Sequence, residues 1–359
     1  MHDVIPMLSA QDRERSLGWL AVWWIETFTV IGRGDATGRR IRHTPEYFRF
    51  IVDCYALDKH GRRRFGHVFL SRPKGCNKSG FAAELALFEA FGPCRFAGWA
   101  KGGETYTFLG CTYTYRKGEP MGRPIQSPLV TCLATAEEQT GEIYDTVYYN
   151  CTEGPLSLLA GRGMDAGTTR IKLPQGGKIV YSGSSARSSD GGLQTFICFD
   201  ETHQYNNKRL RDTYDIMTQN LTKRGVEADP WFLETTTMYC PGENSVAEQT
   251  YKTARDLESG KLLTVGADKA GNTYTKHPIT GTDIIGFTIP YWEEAKKMCL
   301  DAAQKVPQMR FVAWDVAITP NGPTFIEGNS FPSHAVPQFA AHYPDGIGIL
   351  PEFRKFIDV

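Results

Sequence analysis

The amino-acid sequence predicts an α/β fold, in which a mostly parallel sheet is flanked by helices, followed by a smaller α+β segment. Short apolar runs alternate with helical patterns through the first part of the chain, which favours a parallel sheet buried between helices. A basic, glycine-containing loop at residues 72–78 lies between a strand pattern and a helix pattern. Near Ser259 and Gly260 the alternation stops and a turn-rich stretch begins. We therefore predict one domain over residues 1–260 and another over residues 261–359.

The composition is that of an ordinary globular protein without a strong overall charge. Hydrophobic residues make up 41% of the 359 residues and charged residues 22%. Lys plus Arg and Asp plus Glu number 40 each, so any contact with nucleic acid is expected to be local. The nine cysteines form no C-x-x-C pair, which favours reduced thiols in a cytosolic protein. Residues 17–31 are apolar but interrupted by Glu26, so we expect a soluble chain with no membrane partner.

Local patterns assign the elements of the first domain. Thr44 and Pro45 predict a helix start, with threonine as N-cap and proline at the first helical position. An apolar strand pattern at residues 66–71 precedes the loop, and a helix pattern runs from Ser79 until Gly92. Further predicted strands lie at residues 129–133, 179–182, 195–199 and 231–234, and a further helix at residues 135–149.

The second domain has three predicted elements. A helix is predicted over residues 292–306, and strands over residues 310–318 and 323–327. Pro320, Asn321 and Gly322 form a turn pattern between the two strands, which predicts an antiparallel hairpin.

The basic loop has the position of a phosphate-binding loop, where backbone N–H groups and a helix N-terminus point at the ligand. Lys78 is expected to reach the β- and γ-phosphates and the Ser79 hydroxyl to bind Mg²⁺. Arg72 and Asn77 replace the two glycines of the G-x-x-x-x-G-K-[ST] pattern, and asparagine tolerates the left-handed conformation required. The alternative is an ordinary basic turn. The loop residues predicted to bind the nucleotide are Lys74, Gly75, Asn77, Lys78 and Ser79.

Two further strand ends carry residues suited to ATP hydrolysis. Asp200 and Glu201 end an apolar strand 122 residues after Lys78, which leaves room for an intervening strand–helix unit. Asp200 is expected to hold Mg²⁺ and Glu201 to polarise the attacking water. The next strand ends at residues 235–237, where Thr235, Thr236 and Thr237 are expected to sense the γ-phosphate. The alternatives are a solvated strand end and threonines placed by β-propensity alone.

Together these motifs resemble the ATPase half of the large terminase family of tailed phages, over about residues 15–260. The resemblance implies ATP and Mg²⁺ as cofactors and Arg72 or Lys74 as a contact of the γ-phosphate. Arg187 is a candidate for an arginine acting in trans, or alternatively an ordinary loop arginine. Other segments that carry the resemblance are Pro45 and Glu46, where the family binds adenine, and residues 134–139, 200–203 and 240–260.

This resemblance implies an ATP-hydrolysing DNA-packaging motor in the cytoplasm of an infected host cell. Its expected partners are double-stranded DNA, a portal protein, a small terminase subunit and sister subunits in a ring. Large terminases continue into an RNase H-like nuclease. No such acidic cluster follows here, and we expect no DNA cleavage by this chain.

From about residue 261 the sequence resembles the C-terminal part of sugar-transfer-associated ATP-grasp enzymes. The resembling segments are residues 277–281, 289–292, 313–317 and 325–329. By this resemblance Asp315, Glu327 and Asn329 are expected to be oxygen ligands of Mg²⁺, the alternative being a polar hairpin edge.

Two rival functions remain open from the sequence. One is an ATP-grasp ligase that activates a carboxylate, although no ATP-grasp lysine or adenine-binding lobe is recognised before residue 261. The other is a non-catalytic assembly protein with a decayed loop, which the replacements at Arg72 and Asn77 permit. The eight histidines show no zinc-binding spacing and are predicted to be surface or packing residues.

Overall fold

The computed structural model describes residues 8–133, 137–182, 192–221, 223–262, 264–268, 272–306 and 312–330. The chain divides into two compact units, Met7–Thr250 and the described part of Tyr251–Val359. Each unit has its own secondary structure and is considered by itself.

Helices and strands alternate through the first unit, as predicted. The helices are α1 (Ala10–Glu14), α2 (Gly18–Phe28), α3 (Pro45–Cys54), α4 (Lys78–Phe91), α5 (Glu137–Thr152), α6 (Lys208–Leu221) and α7 (Val246–Ser259), which continues past residue 250. The strands are β1 (His67–Ser71), β2 (Arg95–Trp99), β3 (Thr105–Phe108), β4 (Cys111–Thr114), β5 (Pro120–Arg123), β6 (Leu129–Leu133), β7 (Asp165–Ala166), β8 (Arg170–Lys172), β9 (Lys178–Ser182), β10 (Phe196–Asp200) and β11 (Trp231–Thr236).

A mostly parallel sheet forms the centre of this unit. Its order in the described residues is β1-β11-β10-β6-β9-β8-β7, and the first five strands in this order are mutually parallel. Strands β7 and β8 add an antiparallel edge. The register aligns Ser71 with Thr236 and Asp200 with Thr235, so the carboxyl ends of β1, β11 and β10 meet at one edge. Ligands of open α/β sheets bind at this edge.

Helix α4 lies in the core because apolar residues surround almost its entire circumference. Phe81, Leu85 and Phe88 are each 1% exposed or less. It packs against α2, α5 and the sheet. The apolar stretch predicted not to cross a membrane forms α2, whose Trp24 and Ile25 are fully buried. No helix of the described chain is long and apolar enough to cross a membrane.

The predicted elements are confirmed with small differences at their ends. The Thr44 side chain accepts a hydrogen bond from Tyr47 N and caps α3, as its sequence predicted. Helix α5 was predicted to start at residue 135; it begins at Glu137 among the described residues and continues three residues past the predicted end, to Thr152. Sequence patterns missed the two antiparallel pairs β2–β5 and β3–β4, whose short strands lack a long apolar run.

The second unit is a smaller α+β arrangement, as predicted. Its elements are β12 (Gly266–Ala267), β13 (Thr273–Tyr274), α8 (Trp292–Lys305), β14 (Ala313–Thr319) and β15 (Gly322–Asn329). Strands β14 and β15 form the predicted antiparallel hairpin, with Asp315 opposite Glu327. The start of the strand predicted at residue 310 lies outside the described residues.

Candidate functional site

The loop between β1 and α4 is shaped for a phosphate group. Asn77 has the predicted left-handed conformation, with φ 52° and ψ 36°. Gly75 has φ 89°, a conformation that a residue with a side chain rarely adopts. Helix α4 begins at the next residue after Asn77, so its free N–H groups face the loop. The departures from the glycine pattern therefore leave the backbone geometry of a phosphate-binding loop available.

Lys78 is a buried cation with weak partners. It is 5% exposed. Its Nζ donates a 3.4 Å hydrogen bond to the Pro73 carbonyl and lies 3.8 Å from Glu201 Oε1. An ammonium group has three donors, so these long contacts leave Lys78 able to bind an anion. A phosphate is the anion that the loop geometry favours.

Asp200 is held by hydroxyl donors from two other elements. Ser79 Oγ donates a 2.7 Å hydrogen bond to Asp200 Oδ2, and Thr235 Oγ1 donates one of 2.6 Å to Oδ1. Glu201 N also donates to Oδ1, at 3.1 Å. Burial raises the pKa of Asp200, although the hydrogen bonds from Thr235 and Ser79 oppose that effect. A cation beside the carboxylate would favour its charged form.

The oxygen atoms at this point fit Mg²⁺. Ser79 Oγ and the Asp200 carboxylate are hard ligands that already lie within 2.7 Å of each other. Mg²⁺ is usually held by one or two protein oxygens, with the substrate phosphates and water completing its coordination. Among the described residues, no group of three or more His, Cys, Asp and Glu could hold a metal by itself.

Glu201 lies at the start of a short 3₁₀ helix, Thr202–Gln204, with a left-handed φ of 52°. Its Oε2 is 3.0 Å from His203 Nδ1 and accepts a hydrogen bond from Thr237 N at 3.3 Å. Burial acts to raise the pKa of Glu201, but the contacts with His203 and Lys78 outweigh it, and the net direction is down. The carboxylate is therefore charged at neutral pH and half-buried, as a general base requires.

His203 contacts two of the predicted site residues. The histidines were predicted to be surface or packing residues, and the His203 side chain is 25% exposed and contacts Glu201 and Thr236. The Asp-Glu-x-His spacing was visible in the sequence, but no metal-binding pattern accompanied it. The one sequence feature that could have selected His203 is its position, three residues after Asp200 at the end of a predicted strand.

A cavity of about 600 Å³ joins the loop to the strand ends. This volume lies within the range of small-molecule sites. Its other end is formed by residues that sequence patterns did not select, among them Val30, Ile41, Glu84 and Thr146. The predicted site residues that line the cavity are Lys74, Gly75, Asn77, Lys78, Ser79, Asp200, Glu201 and Thr237.

Three predicted residues lie beside the cavity without lining it. Thr235 is fully buried against Asp200, and Thr236 is fully buried and contacts His203. Arg72 forms an ion pair with Glu46 in the first turn of α3. Of the two candidates for the γ-phosphate contact, Lys74 lines the cavity, whereas Arg72 is paired with Glu46. Arg187 and residues 134–136 lie outside the described residues.

A buried acid–base cluster lies at the far end of the cavity. His43 Nε2 is 2.8 Å from Glu84 Oε2, and His43 Nδ1 is 3.1 Å from Glu26 Oε1. Burial acts to lower the pKa of His43, but its contacts with Glu84 and Glu26 outweigh it and raise the pKa. Burial raises the pKa of Glu84, although His43 opposes it. His43 is 17 positions from Glu26 and 41 positions from Glu84, and no sequence pattern linked the three residues.

The three predicted metal ligands of the second unit do come together. Asn329 Nδ2 donates to Asp315 Oδ2 at 3.4 Å and to Glu327 Oε1 at 3.2 Å. Both contacts lie on the exposed side of the β14–β15 hairpin. Their role as metal ligands stays a prediction.

The first unit is an α/β fold with a mostly parallel sheet flanked by helices. The chain is similar to phage proteins. It is 23% identical to the Gene 13 proteins of Mycobacterium phages D29 and L5, over 279 and 277 residues. These alignments cover 71% and 70% of this chain but 43% of each relative, so the chain spans less than half the length of those relatives.

Among solved structures, the large terminase of bacteriophage HK97 matches 82% of this chain and 53% of its own, with 14% identity and a TM-score of 0.49. Residues 254–352 match a family model described as sugar-transfer associated ATP-grasp. The chain thus resembles a phage large terminase, and its C-terminal region resembles an ATP-grasp segment.

Proposed function

We propose that this chain is the ATP-hydrolysing motor part of a phage DNA-packaging terminase. The observation that carries the proposal is the meeting of Ser79, Asp200 and Thr235 beside the left-handed loop. A hydroxyl at the helix start and a carboxylate at a strand end, 2.7 Å apart, are the two protein groups that P-loop enzymes use for Mg²⁺. The similarity to mycobacteriophage proteins supports the phage context.

Different residues bind the phosphates, hold the metal ion and act as the general base. Lys78 and the N–H groups at the start of α4 bind the β- and γ-phosphates, with Lys74, Gly75 and Asn77 shaping the loop. Ser79 and Asp200 hold Mg²⁺, which neutralises charge on the phosphates when bound. Glu201 accepts a proton from the attacking water, because its carboxylate is charged and its side chain lines the cavity.

Hydrolysis is coupled to movement through strand β11, which lies between β1 and β10 in the sheet. Strand β11 carries Thr235, bonded to Asp200, and Thr236, bonded to His203. Because β11 pairs with both β1 and β10, a displacement at its end reaches both the phosphate loop and the catalytic carboxylate. Double-stranded DNA, a portal protein, a small terminase subunit and sister subunits in a ring are the proposed partners, in the cytoplasm of the infected host.

Substitution of Lys78 tests this proposal. Lys78→Ala removes the buried ammonium and is expected to reduce ATP hydrolysis by the purified chain to background, with an unchanged circular dichroism spectrum. Lys208→Ala is the matched control, because the Lys208 side chain is 88% exposed and pairs only across the surface of α6 with Asp212. Equal turnover by wild type and Lys78→Ala would refute the ATPase assignment.

A second candidate function comes from the C-terminal match. The cluster of Asp315, Glu327 and Asn329, within residues 254–352, is the observation that favours an ATP-grasp ligase. Mg²⁺ binds exposed oxygen ligands weakly unless nucleotide phosphates complete its coordination. ATP-dependent activity that is lost when this cluster is substituted, and retained when Lys78 is substituted, would favour the ligase.

A further inference from the structure

The imidazole of His203 joins two strand ends at the proposed ATPase site. His203 Nδ1 lies 3.0 Å from Glu201 Oε2 and 3.1 Å from Thr236 Oγ1. The backbone N–H of His203 also donates to Thr236 Oγ1, at 3.0 Å. Thr237, the residue after Thr236, places its Oγ1 3.3 Å from Nδ1 and 3.4 Å from Nε2 of the ring. The ring thus contacts the candidate base from β10 and the threonines that end β11.

The hydrogen-bond partners fix which ring nitrogen carries the proton. Thr236 Oγ1 donates its own hydrogen to the Thr237 carbonyl at 2.9 Å, so toward His203 it can only accept. The Glu201 carboxylate also only accepts. His203 Nδ1 must therefore be the N–H donor, shared between Glu201 Oε2 and Thr236 Oγ1. A single N–H then joins an oxygen of the residue after β10 to an oxygen of the last residue of β11.

The same contact decides how the two oxygens of Glu201 are used. Oε2 is occupied by His203 Nδ1 and by Thr237 N. Oε1 is directed toward Lys78 Nζ, 3.8 Å away. The ring of His203 therefore prevents the carboxylate from rotating freely, and it leaves one oxygen toward the phosphate end of the cavity. Without the ring, Glu201 Oε2 would keep the 3.3 Å bond from Thr237 N, and Oε1 would keep its 3.8 Å contact with Lys78 Nζ.

We propose that His203 is a positioning residue that locks the carboxylate of Glu201 to the Thr236 end of β11. The inference rests on the proposed ATPase function and deepens it. Whatever displaces Glu201 when the γ-phosphate arrives or leaves must also act on Thr236 through this ring. The coupling of hydrolysis to β11 therefore depends on Nδ1–H of His203 as well as on the threonines.

Three substitutions separate this role from simple packing. In His203→Asn the amide Nδ2 occupies nearly the place of Nδ1–H, so the bond to Glu201 is kept. In His203→Gln the amide lies one bond farther out, and in His203→Ala no donor remains. Displacement of a catalytic group by about 1 Å can cost roughly 100-fold in rate. We expect kcat for ATP to fall by about that factor in His203→Ala and His203→Gln, with KM little changed and with His203→Asn close to wild type.

A double substitution tests the link to β11. Thr236→Val removes the hydroxyl that accepts from His203 while keeping the size of the buried side chain. If both residues act through one contact, the kcat loss of His203→Ala combined with Thr236→Val is smaller than the product of the single losses. Multiplicative losses would show independent roles and would overturn the proposed link.

The outcomes distinguish this inference from the function on which it rests. A wild-type kcat in His203→Ala, while Lys78→Ala is inactive, would overturn the positioning role alone. Equal losses in the Asn, Gln and Ala variants, with lowered melting temperatures, would assign His203 to packing and also overturn it. If wild-type turnover does not exceed that of Lys78→Ala, the ATPase proposal is overturned, and the role of His203 with it.

Discussion

Ser79 Oγ donates a hydrogen bond of 2.7 Å to Asp200 Oδ2, although the two residues are 121 positions apart. The bond joins the first turn of α4 to the last residue of β10. Asp200 is only 2% exposed, and an unpartnered buried carboxylate would be costly. The site is therefore pre-organised by contacts among its own residues, and its chemistry can be tested residue by residue.

Glu201→Gln is expected to preserve the binding of Mg-ATP and to slow hydrolysis by roughly 100-fold, the usual scale for loss of a general base. The amide has the same size as the carboxylate but cannot accept a proton from water. Binding is measured with a fluorescent ATP analogue and turnover by phosphate release. Glu153→Gln, at an exposed position, is the control. A variant that loses nucleotide affinity but keeps its rate per bound ATP would assign Glu201 to ligand binding instead.

Thr235→Val is expected to weaken both the fold and the proposed Mg²⁺ site. Thr235 is fully buried, and valine keeps its volume while removing the 2.6 Å hydrogen bond to Asp200. Asp200 Oδ1 would keep its bond from Glu201 N, so the loss is that of one typical hydrogen bond, about 0.5–1.5 kcal/mol. The free energy of unfolding in urea should fall by about that amount, and more Mg²⁺ should be needed for half-maximal turnover.

Thr235→Ser is the matched control for this change, because serine keeps the hydroxyl. It should retain the Mg²⁺ dependence of the wild type, apart from a small loss of packing. If the valine and serine variants require the same Mg²⁺ concentration, the hydroxyl has no part in holding Asp200.

The cluster of His43, Glu84 and Glu26 predicts that stability falls as pH rises. Burial opposes the charge on His43, but Glu84 and Glu26 raise its pKa above the ordinary value of 6.5. A group with a raised pKa in the folded state stabilises the protein below its unfolded pKa and loses that contribution as pH rises through the folded value. Burial raises the pKa of Glu84 from 4.5, which acts in the same direction. The His43 contribution should therefore disappear as pH rises from about 6.5 through the raised pKa.

Urea unfolding at several pH values measures this effect. His43→Gln should remove much of the decline in the free energy of unfolding, whereas His60→Gln, at an exposed position, should retain it. The same pH dependence in wild type and His43→Gln would show that other groups control it.

Simultaneous replacement of Asp315, Glu327 and Asn329 by alanine is expected to leave the rate of ATP hydrolysis within about twofold of wild type, because surface substitutions have small effects. Asn329 donates to both Asp315 and Glu327 on the exposed side of the hairpin. The proposed ATPase site has its own oxygen ligands in Ser79 and Asp200. A large loss of turnover in this variant, with normal Lys78→Ala activity, would assign the chemistry to the C-terminal unit.

Sequence patterns predicted the parallel strands with errors of a few residues, because each strand is a short run that is rich in apolar residues. They also predicted the αL conformation of Asn77, since asparagine is one of the few side chains that adopts it at low cost. The antiparallel pair of β2 and β5 was missed because short, glycine-containing strands resemble loops in a single sequence.

Local sequence patterns were enough to select the candidates for phosphate, metal and proton chemistry: Lys78, Ser79, Asp200, Glu201 and the threonines at residues 235–237. Which of these residues meet depends on the fold. Strand β11 lies between β1 and β10, and this order brings Thr235 to Asp200 and Thr236 to His203. The pairing of Arg72 with Glu46 and the contact of His43 with Glu84 were decided in the same way. Contacts between distant residues depend on strand order and helix packing, and a single sequence carries no local pattern that records them.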